Sequence, residues 1–143
     1  KIFKELNSFS FSQITPSQFY GIEIDDFAHQ LAKLSLWLTE HQMNVEFKME
    51  FGEVCPSLPL KESGHITCGD ATSIDWSEAC NNNHSETYVI GNPPYLGARN
   101  QTKGQKEAVV NSLPGVKGSS SLDYICCWFA KAAKYIQEKN TKD

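Results

Sequence analysis

Three short apolar runs, each ending in a polar loop, most constrain how this chain can fold. They are residues 19–24, 65–68 and 87–91. The first run leads directly into Asp25 and Asp26, which can cap a helix. Strands that alternate with helices are typical of α/β domains, so we expect a mainly parallel sheet with helices packed on it.

Helical periodicity accounts for much of the sequence between these runs. Apolar residues between Phe27 and Leu38 keep helical spacing. Residues 44–64 lack this period and contain Gly and Pro, which predicts a loop or a hairpin. We predict a short helix over residues 105–113 and a last helix over residues 121–138 that is capped by Ser121. The predicted apolar face of the last helix comprises Tyr124, Ile125, Trp128, Phe129, Ala132, Ala133 and Ile136.

Length and composition indicate a single cytoplasmic domain. The chain has 143 residues, of which 40% are hydrophobic, so residues 1–143 can bury a core as one domain. No apolar run reaches the roughly 20 residues that span a bilayer, and the N-terminus has no signal-peptide pattern. The five cysteines are odd in number and form no Cys-x-x-Cys pair, which suits a reducing compartment.

Charge is distributed unevenly along the chain. Residues 1–98 contain 5 Lys or Arg against 13 Asp or Glu, a net charge of −8, whereas residues 99–143 contain 8 against 4, a net charge of +4. The acidic total disfavours a stand-alone polyanion-binding module. The basic part could face phosphates or be only a solvated surface.

Two acidic residues follow the first two strands, and ligands of parallel α/β sheets bind at this end of the strands. Glu23 ends the first run, where a carboxylate can accept two hydrogen bonds from a ribose diol. Asp70 follows the second run and can accept an amine proton of an adenine ring, with Ile24 and Ala71 flanking the ring. Taken alone, Glu23 could equally be a helix cap and Asp70 part of a Gly-Asp turn.

The third run stops at the sequence Asn92-Pro93-Pro94-Tyr95. The two prolines fix two φ angles and remove two N–H donors, which leaves their carbonyls and the Asn92 amide oxygen as acceptors beside an aromatic ring. This arrangement suits an amino group on a planar ring, although a plain Asn-Pro turn explains the same residues.

The four residues Asn92-Pro93-Pro94-Tyr95 after an apolar strand resemble the catalytic motif of amino-directed, S-adenosylmethionine-dependent DNA methyltransferases, chiefly those that modify adenine N6. Residues 21–25, 69–71 and 122–124 are similar to the second, third and fifth motifs of that family, in the same order. The similarity covers residues 19–137, and it is greatest to the methyltransferase core of single-chain type II restriction-modification enzymes. It implies a partial Rossmann-like class I methyltransferase sheet.

The resemblance also implies which residues bind the cofactor, S-adenosylmethionine. Glu23 would bind its ribose and Asp70 the amino group of its adenine. Ile24 and Ala71 would contact that adenine, and Tyr124, in the fifth motif, belongs to the same cofactor-binding set.

For the target base, the resemblance implies that Asn92 and the carbonyl of Pro93, within the motif completed by Pro94, accept hydrogen bonds from the N6 amine. Tyr95 would stack on an adenine flipped out of double-stranded DNA. Two acceptors favour a pyramidal nitrogen whose lone pair attacks the methyl group directly, with no covalent enzyme intermediate.

The sequence departs from the family pattern in one respect. The family begins with a glycine-rich cofactor loop after its first strand, and no such loop precedes residue 19. We also expect the target-recognition part of the family to be absent from residues 1–143. We therefore expect a partial catalytic domain that is inactive by itself, with open strand edges that favour a homo-oligomer or a swapped dimer.

Two other functions stay open. The same motif occurs in methyltransferases that modify glutamine N5 in release factors, although the basic loop of residues 99–117 fits such an enzyme less well. A non-catalytic DNA-binding or scaffold module of a restriction complex is the other alternative, and the acidic net charge disfavours it. Cytosine C5 methylation is excluded because it needs a Pro-Cys nucleophile, whereas Cys55 precedes Pro56 here.

Cysteine and histidine spacing raises the question of zinc. His65 with Cys68, and Cys80 with His84, have zinc-like spacings. Because Cys68 is expected inside a buried strand and methyl transfer needs no metal, we predict no metal site. The adjacent cysteines at positions 126 and 127 are predicted to be core residues.

Overall fold

A computed structural model describes residues 14–52, 64–81 and 86–140. The helices and strands in chain order are β1 (Tyr20–Glu23), α1 (Asp26–Phe51), β2 (His65–Cys68), α2 (Trp76–Ala79), α3 (Lys103–Ser112) and α4 (Ile125–Asn140), with 3-10 turns at Pro16–Gln18 and Ser119–Ser121. The chain divides into a first unit, residues 1–68, and a second unit, residues 69–143.

The first unit contains a two-stranded parallel sheet. In the register of β1 and β2, Tyr20 lies opposite His65 and Glu23 lies opposite Cys68. This confirms the predicted parallel pairing, and it brings the carboxyl ends of the two strands together. These two are the only paired strands among the described residues, so the wider sheet is not seen there.

Helix α1 starts where the sequence predicts and is held on the sheet by a buried histidine. The Asp25 carboxylate accepts a hydrogen bond from the Ala28 N–H at 2.8 Å, as an N-cap does. His29 is buried, and its Nε2 lies 2.9 Å from the Ile66 carbonyl oxygen of β2. The ring nitrogen therefore donates to a backbone acceptor of the sheet.

The far end of α1 corrects one prediction. Residues 44–51, predicted as loop or hairpin, continue the helix to Phe51, and Gly52 with φ 84° ends it. Residues 44–51 contain no Gly or Pro, so nothing in their backbone interrupts the helix before the left-handed glycine. The rest of the predicted loop, residues 53–63, lies outside the described residues. In the part of the chain that the structure describes, no helix is long and apolar enough to cross a membrane.

The second unit is built on α3 and α4. Its buried cluster consists of Val109, Tyr124 and Cys127, against which Leu96, Ala108, Leu113 and Leu122 pack. The predicted helix over residues 105–113 is confirmed as α3. Cys127 is fully buried, as a core residue, whereas Cys126 is half-buried.

Residues 69–81 are fixed on α4 by aromatic and polar contacts. The rings of Trp76 and Trp128 meet edge to face with centroids 5.3 Å apart. The Lys131 ammonium donates to the Ile74 carbonyl at 2.6 Å. The turn that contains Asp70 therefore belongs to the same packed unit as α4.

The predicted third strand, residues 87–91, is not formed. Burial still alternates there, because Thr87 and Val89 are half-buried while Tyr88 and Ile90 are 81% and 92% exposed. A strand needs a neighbour for its backbone hydrogen bonds, and no described segment pairs with this one. The residues have a strand's alternation without its ladder.

Helix α4 begins four residues later than predicted. Ser121 lies in a 3-10 turn, and the Asp123 carboxylate instead accepts a hydrogen bond from the Ile125 N–H at 3.0 Å. The buried face also differs from the predicted one: Phe129, Ala133 and Ile136 are exposed, and the buried residues are Tyr124, Cys127, Ala132 and Tyr135.

Candidate active site

Residues 92–95 form an exposed, irregular segment of the second unit. Asn92 and Pro94 are exposed, Pro93 is half-buried and the Tyr95 ring is 73% exposed. No described residue donates a hydrogen bond to the Asn92 side chain. The acceptors predicted from the sequence are therefore free to meet a ligand.

Both ends of this segment are fixed. On its N-terminal side, Gly91 lies so close to the Trp128 indole that a Cβ at this position would be 2.8 Å from Cζ2. On its C-terminal side, the Leu96 N–H donates to the Asp123 carboxylate at 3.1 Å, and the Leu96 carbonyl accepts from the Tyr124 N–H at 3.0 Å. Residues 122–124, which match the fifth motif of the family, are thus hydrogen-bonded to Leu96, the residue that follows the exposed segment.

The turn at Asp70 is held by hydrogen bonds to its carboxylate. Oδ1 accepts from the Thr72 N–H at 2.8 Å and from the Thr72 hydroxyl at 2.7 Å, and Oδ2 accepts from the Ser73 hydroxyl at 3.1 Å. Partial burial alone would raise the pKa of Asp70, but these bonds and the charge of Lys131 outweigh it and lower the pKa below its ordinary value. Asp70 is therefore an ionised acceptor at neutral pH.

Tyr124 connects this turn to the exposed segment. Its hydroxyl lies 2.7 Å from the Thr72 hydroxyl, and its backbone N–H donates to the Leu96 carbonyl. Tyr124 is buried, so its phenol reaches Asp70 only through Thr72. The structure thus brings Asp70, Tyr124 and Leu96, the residue that follows Tyr95, into one hydrogen-bonded framework.

In the first unit, Glu23 and Ile24 follow β1. Glu23 Oε1 accepts from the Asp25 N–H at 3.0 Å, and the Ile24 side chain is 69% exposed. The bond to Asp25 agrees with the simpler interpretation, a carboxylate at a helix start, and it uses only one of the two oxygens.

Three potential metal ligands lie together in the first unit. The ligand atoms of Asp26, His29 and Cys68 are within 4.8 Å of one another. His29 Nε2 already pairs with the Ile66 carbonyl, and Nδ1 lies 3.3 Å from the amide nitrogen of Gln30. Protein groups thus satisfy both ring nitrogens, and we assign no metal to this cluster. Cys68 ends β2 and is exposed, so the expectation that it is buried was wrong. His84, in the other zinc-like spacing, lies outside the described residues.

Comparison with known proteins decides the family. The family model described as the MmeI DNA-methyltransferase domain matches residues 1–143. The chain belongs to this family.

Two relatives of this MmeI methyltransferase-domain chain are informative. DNA methyltransferase A of Bacillus subtilis (strain 168) is 50% identical over 131 residues, which cover 90% of this chain and 15% of that protein. The type IIL restriction-modification enzyme MmeI, solved in complex with DNA, is 41% identical with a TM-score of 0.77, and the match covers 90% of this chain and 17% of MmeI. The chain thus spans about one sixth of the length of these relatives.

Two residues of the framework in this family member escaped the sequence analysis. Thr72 lies two positions after Asp70, and an acid followed by Thr at this spacing is a common turn signal that could have suggested it. Gln101, which contacts the Leu96 carbonyl, lies in a polar stretch that contains no distinguishing pattern.

Proposed function

We propose that this chain is the catalytic part of a cytoplasmic enzyme of a restriction-modification system that transfers a methyl group from S-adenosylmethionine to adenine N6 in double-stranded DNA. Membership of a DNA-methyltransferase domain family supports the reaction class. The observation that supports an amino group as target is the exposed acceptor segment of residues 92–95, which is fixed at Gly91 and at Leu96.

The acceptors of residues 92–95 explain how a poor nucleophile could react. The exocyclic amine of adenine delocalises its lone pair into the ring. Hydrogen bonds from this amine to the Asn92 amide oxygen and the Pro93 carbonyl favour a pyramidal nitrogen, which restores the lone pair. The exposed Tyr95 ring offers a face for stacking on a flipped base. Catalysis would then come from positioning and preorganised dipoles.

The described residues fit the proposed cofactor, which supplies an electrophilic methyl group when bound. Asp70 is an ionised acceptor whose Oδ2 accepts only one hydrogen bond, from Ser73, so a lone pair is left for an adenine amino group, with Ala71 beside it in sequence. In the first unit, Glu23 Oε2 is left for a ribose hydroxyl, and the exposed Ile24 offers an apolar surface. Tyr124 would act indirectly, by holding Thr72.

The same proposal includes a wider class I sheet. The alternating burial of residues 87–91 suits a segment with one packed face, and Tyr88 and Ile90 lie on the other face, which further helices packed on such a sheet would cover.

DNA is favoured over a glutamine side chain or a purely structural role. The solved relative MmeI was determined in complex with DNA, and the basic residues that follow Tyr95 suit a polyanion. A scaffold module would not require the acceptors of residues 92–95 to be exposed and fixed at both ends.

The proposal is tested with the full-length protein and tritiated S-adenosylmethionine. Wild-type protein should label unmodified DNA, and digestion of the product should yield N6-methyladenine. Asn92→Ala should lower the rate by at least about 100-fold, because it removes an acceptor that acts on the transferring nitrogen.

Asn100→Ala is the matched control, because Asn100 is also exposed and only its backbone N–H makes a local bond, to Gly97. This control should label DNA at the wild-type rate. Label recovered as N4-methylcytosine would reject adenine as the target, and label found in protein but not in DNA would reject DNA as the substrate.

A further inference from the structure

Gln101 makes an unusual pair of hydrogen bonds next to the exposed segment. Its side-chain amide nitrogen donates to the Leu96 carbonyl at 2.8 Å and to the Leu122 carbonyl at 2.9 Å. The residue is 7% exposed. One buried amide group therefore joins the carbonyl of Leu96, the residue after Tyr95, to the carbonyl of Leu122, the residue before Asp123.

The other end of the Gln101 amide is not satisfied. Its Oε1 atom is buried and has no hydrogen-bond partner among the described residues. Leaving a buried acceptor unpaired is unfavourable. The contribution of Gln101 therefore comes from its amide N–H groups, which donate to the Leu96 and Leu122 carbonyls.

We propose that Gln101 is a positioning residue for methyl transfer. This inference rests on the proposed function. Asp123 and Tyr124 bind the Leu96 N–H and carbonyl, and Gln101 adds a further link by bridging the Leu96 and Leu122 carbonyls. Loss of its donors leaves two neighbouring carbonyls without that bridge and lets the peptide after Tyr95 move. Tyr95 and the acceptors before it then lose the alignment on which the transfer depends.

The experiment compares wild-type full-length protein with Gln101→Met and Gln101→His. Methionine keeps the length of the side chain and has no donor, whereas the histidine ring keeps one N–H for one of the carbonyls. The kcat of DNA methylation should fall in the order Gln, His, Met, with a loss of about 10- to 100-fold for methionine. Titration calorimetry should show S-adenosylmethionine binding at full stoichiometry and with a Kd within about twofold of wild type, because the side-chain hydrogen bonds of Gln101 go to Leu96 and Leu122 and not to a proposed cofactor residue.

Gln105→Met is the matched control. This glutamine lies four residues later, in the first turn of α3, and its side chain accepts a hydrogen bond from the exposed Thr102 N–H. Its kcat should stay within about twofold of wild type, since an exposed cap contributes little to the site.

Either of two results for the variants would overturn the inference. Gln101→Met and Gln101→His could both retain the wild-type kcat, or their loss of kcat could equal their loss of cofactor-binding stoichiometry, as for a residue that only maintains folding. If methionine prevents folding, the histidine variant decides between these results. Wild-type protein that methylates no DNA would instead reject the proposed function and this inference together, before any variant is compared.

Discussion

At the scale of single residues, hydrogen bonds from Thr72 lower the pKa of the Asp70 carboxyl. Its N–H and its hydroxyl both donate to the Asp70 carboxylate, and the same hydroxyl lies 2.7 Å from the Tyr124 hydroxyl. Burial favours the neutral form of Asp70, but the bonds from Thr72 and Ser73 and the charge of Lys131 lower its pKa. A carboxylate held in this way stays an acceptor over the whole neutral range.

Thr72→Val removes the hydroxyl and keeps the shape of the side chain, so we expect the pKa of Asp70 to rise. A buried Tyr124 hydroxyl also loses its partner, and the local free energy of opening should fall by about 1–3 kcal/mol. A carboxyl with a lowered pKa stabilises the fold above its unfolded pKa and loses this effect as the pH falls through its folded value. In hydrogen exchange of residues 69–76, wild-type protection should therefore decline only at a pH below the ordinary pKa of an aspartate, and that of the variant at a higher pH than in the wild type.

Ser73→Ala is the control for this prediction, because it removes one longer, exposed bond to Oδ2. Its exchange should change much less than that of Thr72→Val. Equal effects of the two variants would show that the link from Thr72 to Tyr124 contributes nothing.

At the scale of elements, the segment of residues 87–91 depends on a tertiary contact and not on strand pairing. Gly91 approaches the Trp128 indole too closely for any side chain, and Trp128 packs on Trp76. We therefore infer that the contact of Gly91 with α4 positions Asn92, since no described strand pairs with this segment.

Gly91→Ala should displace the segment, because its Cβ would lie 2.8 Å from Cζ2 of Trp128. We expect a loss of about 1–3 kcal/mol in local stability and at least a tenfold loss in the rate of DNA methylation, since a small misplacement of reacting groups is costly. Thermal melting and methyl transfer of the full-length protein measure the two effects.

Gly97→Ala provides the comparison, because a Cβ at Gly97 meets no atom within 4 Å. This variant should keep wild-type stability and activity. A Gly91→Ala protein that is as active as the Gly97→Ala protein would show that contact with Trp128 does not position Asn92.

The same elements show what the sequence could and could not predict. The strands β1 and β2, the Asp25 cap and helix α3 follow from local patterns, and the predictions for them are confirmed. The start of α4 could not be read from Ser121, because Asp123 is oriented by the Leu96 N–H, 27 residues away. The prediction of a strand at residues 87–91 was wrong for the described chain. The alternating sequence pattern reports which side chains are buried, whereas backbone hydrogen bonds between strands need a neighbouring strand.

For the candidate site, residue types were more predictable than contacts. The acceptor character of residues 92–95 follows from their chemistry, and in the structure Asn92, Pro94 and Tyr95 are exposed while Pro93 is half-buried. The bond of Thr72 to Tyr124 spans 52 residues and that of Gln101 to Leu122 spans 21. No local pattern encodes such pairs, so the framework became visible only in three dimensions. The roles of the site residues stay predictions.

At the scale of the whole molecule, charge separates along the chain. The net charge is −8 over residues 1–98 and +4 over residues 99–143. The basic part begins soon after Tyr95 and includes the exposed residues Arg99, Lys103 and Lys117. Leu96, next to Tyr95, packs in the same buried cluster as Val109 of α3, so these cations belong to the unit that presents the acceptor segment. We therefore expect them to bind DNA phosphates rather than to serve only as a solvated surface.

The double variant Arg99→Gln and Lys103→Gln tests this expectation in the full-length protein. Each phosphate that a cation neutralises releases counterions, so the slope of log affinity for DNA against log salt should become less negative by about 0.9 for each phosphate that the variant no longer neutralises. Affinity should fall most at low salt and almost equally for all DNA sequences, because phosphates carry no sequence information. Lys134→Gln is the control. Lys134 lies on α4, where it pairs with Glu138 at 3.6 Å, so this variant removes a positive charge outside residues 99–117 and should leave the slope unchanged. An unchanged slope in the double variant, or an equal change in Lys134→Gln, would show that Arg99 and Lys103 only form a solvated surface. Only cations that bind DNA phosphates change the number of counterions that DNA releases on binding.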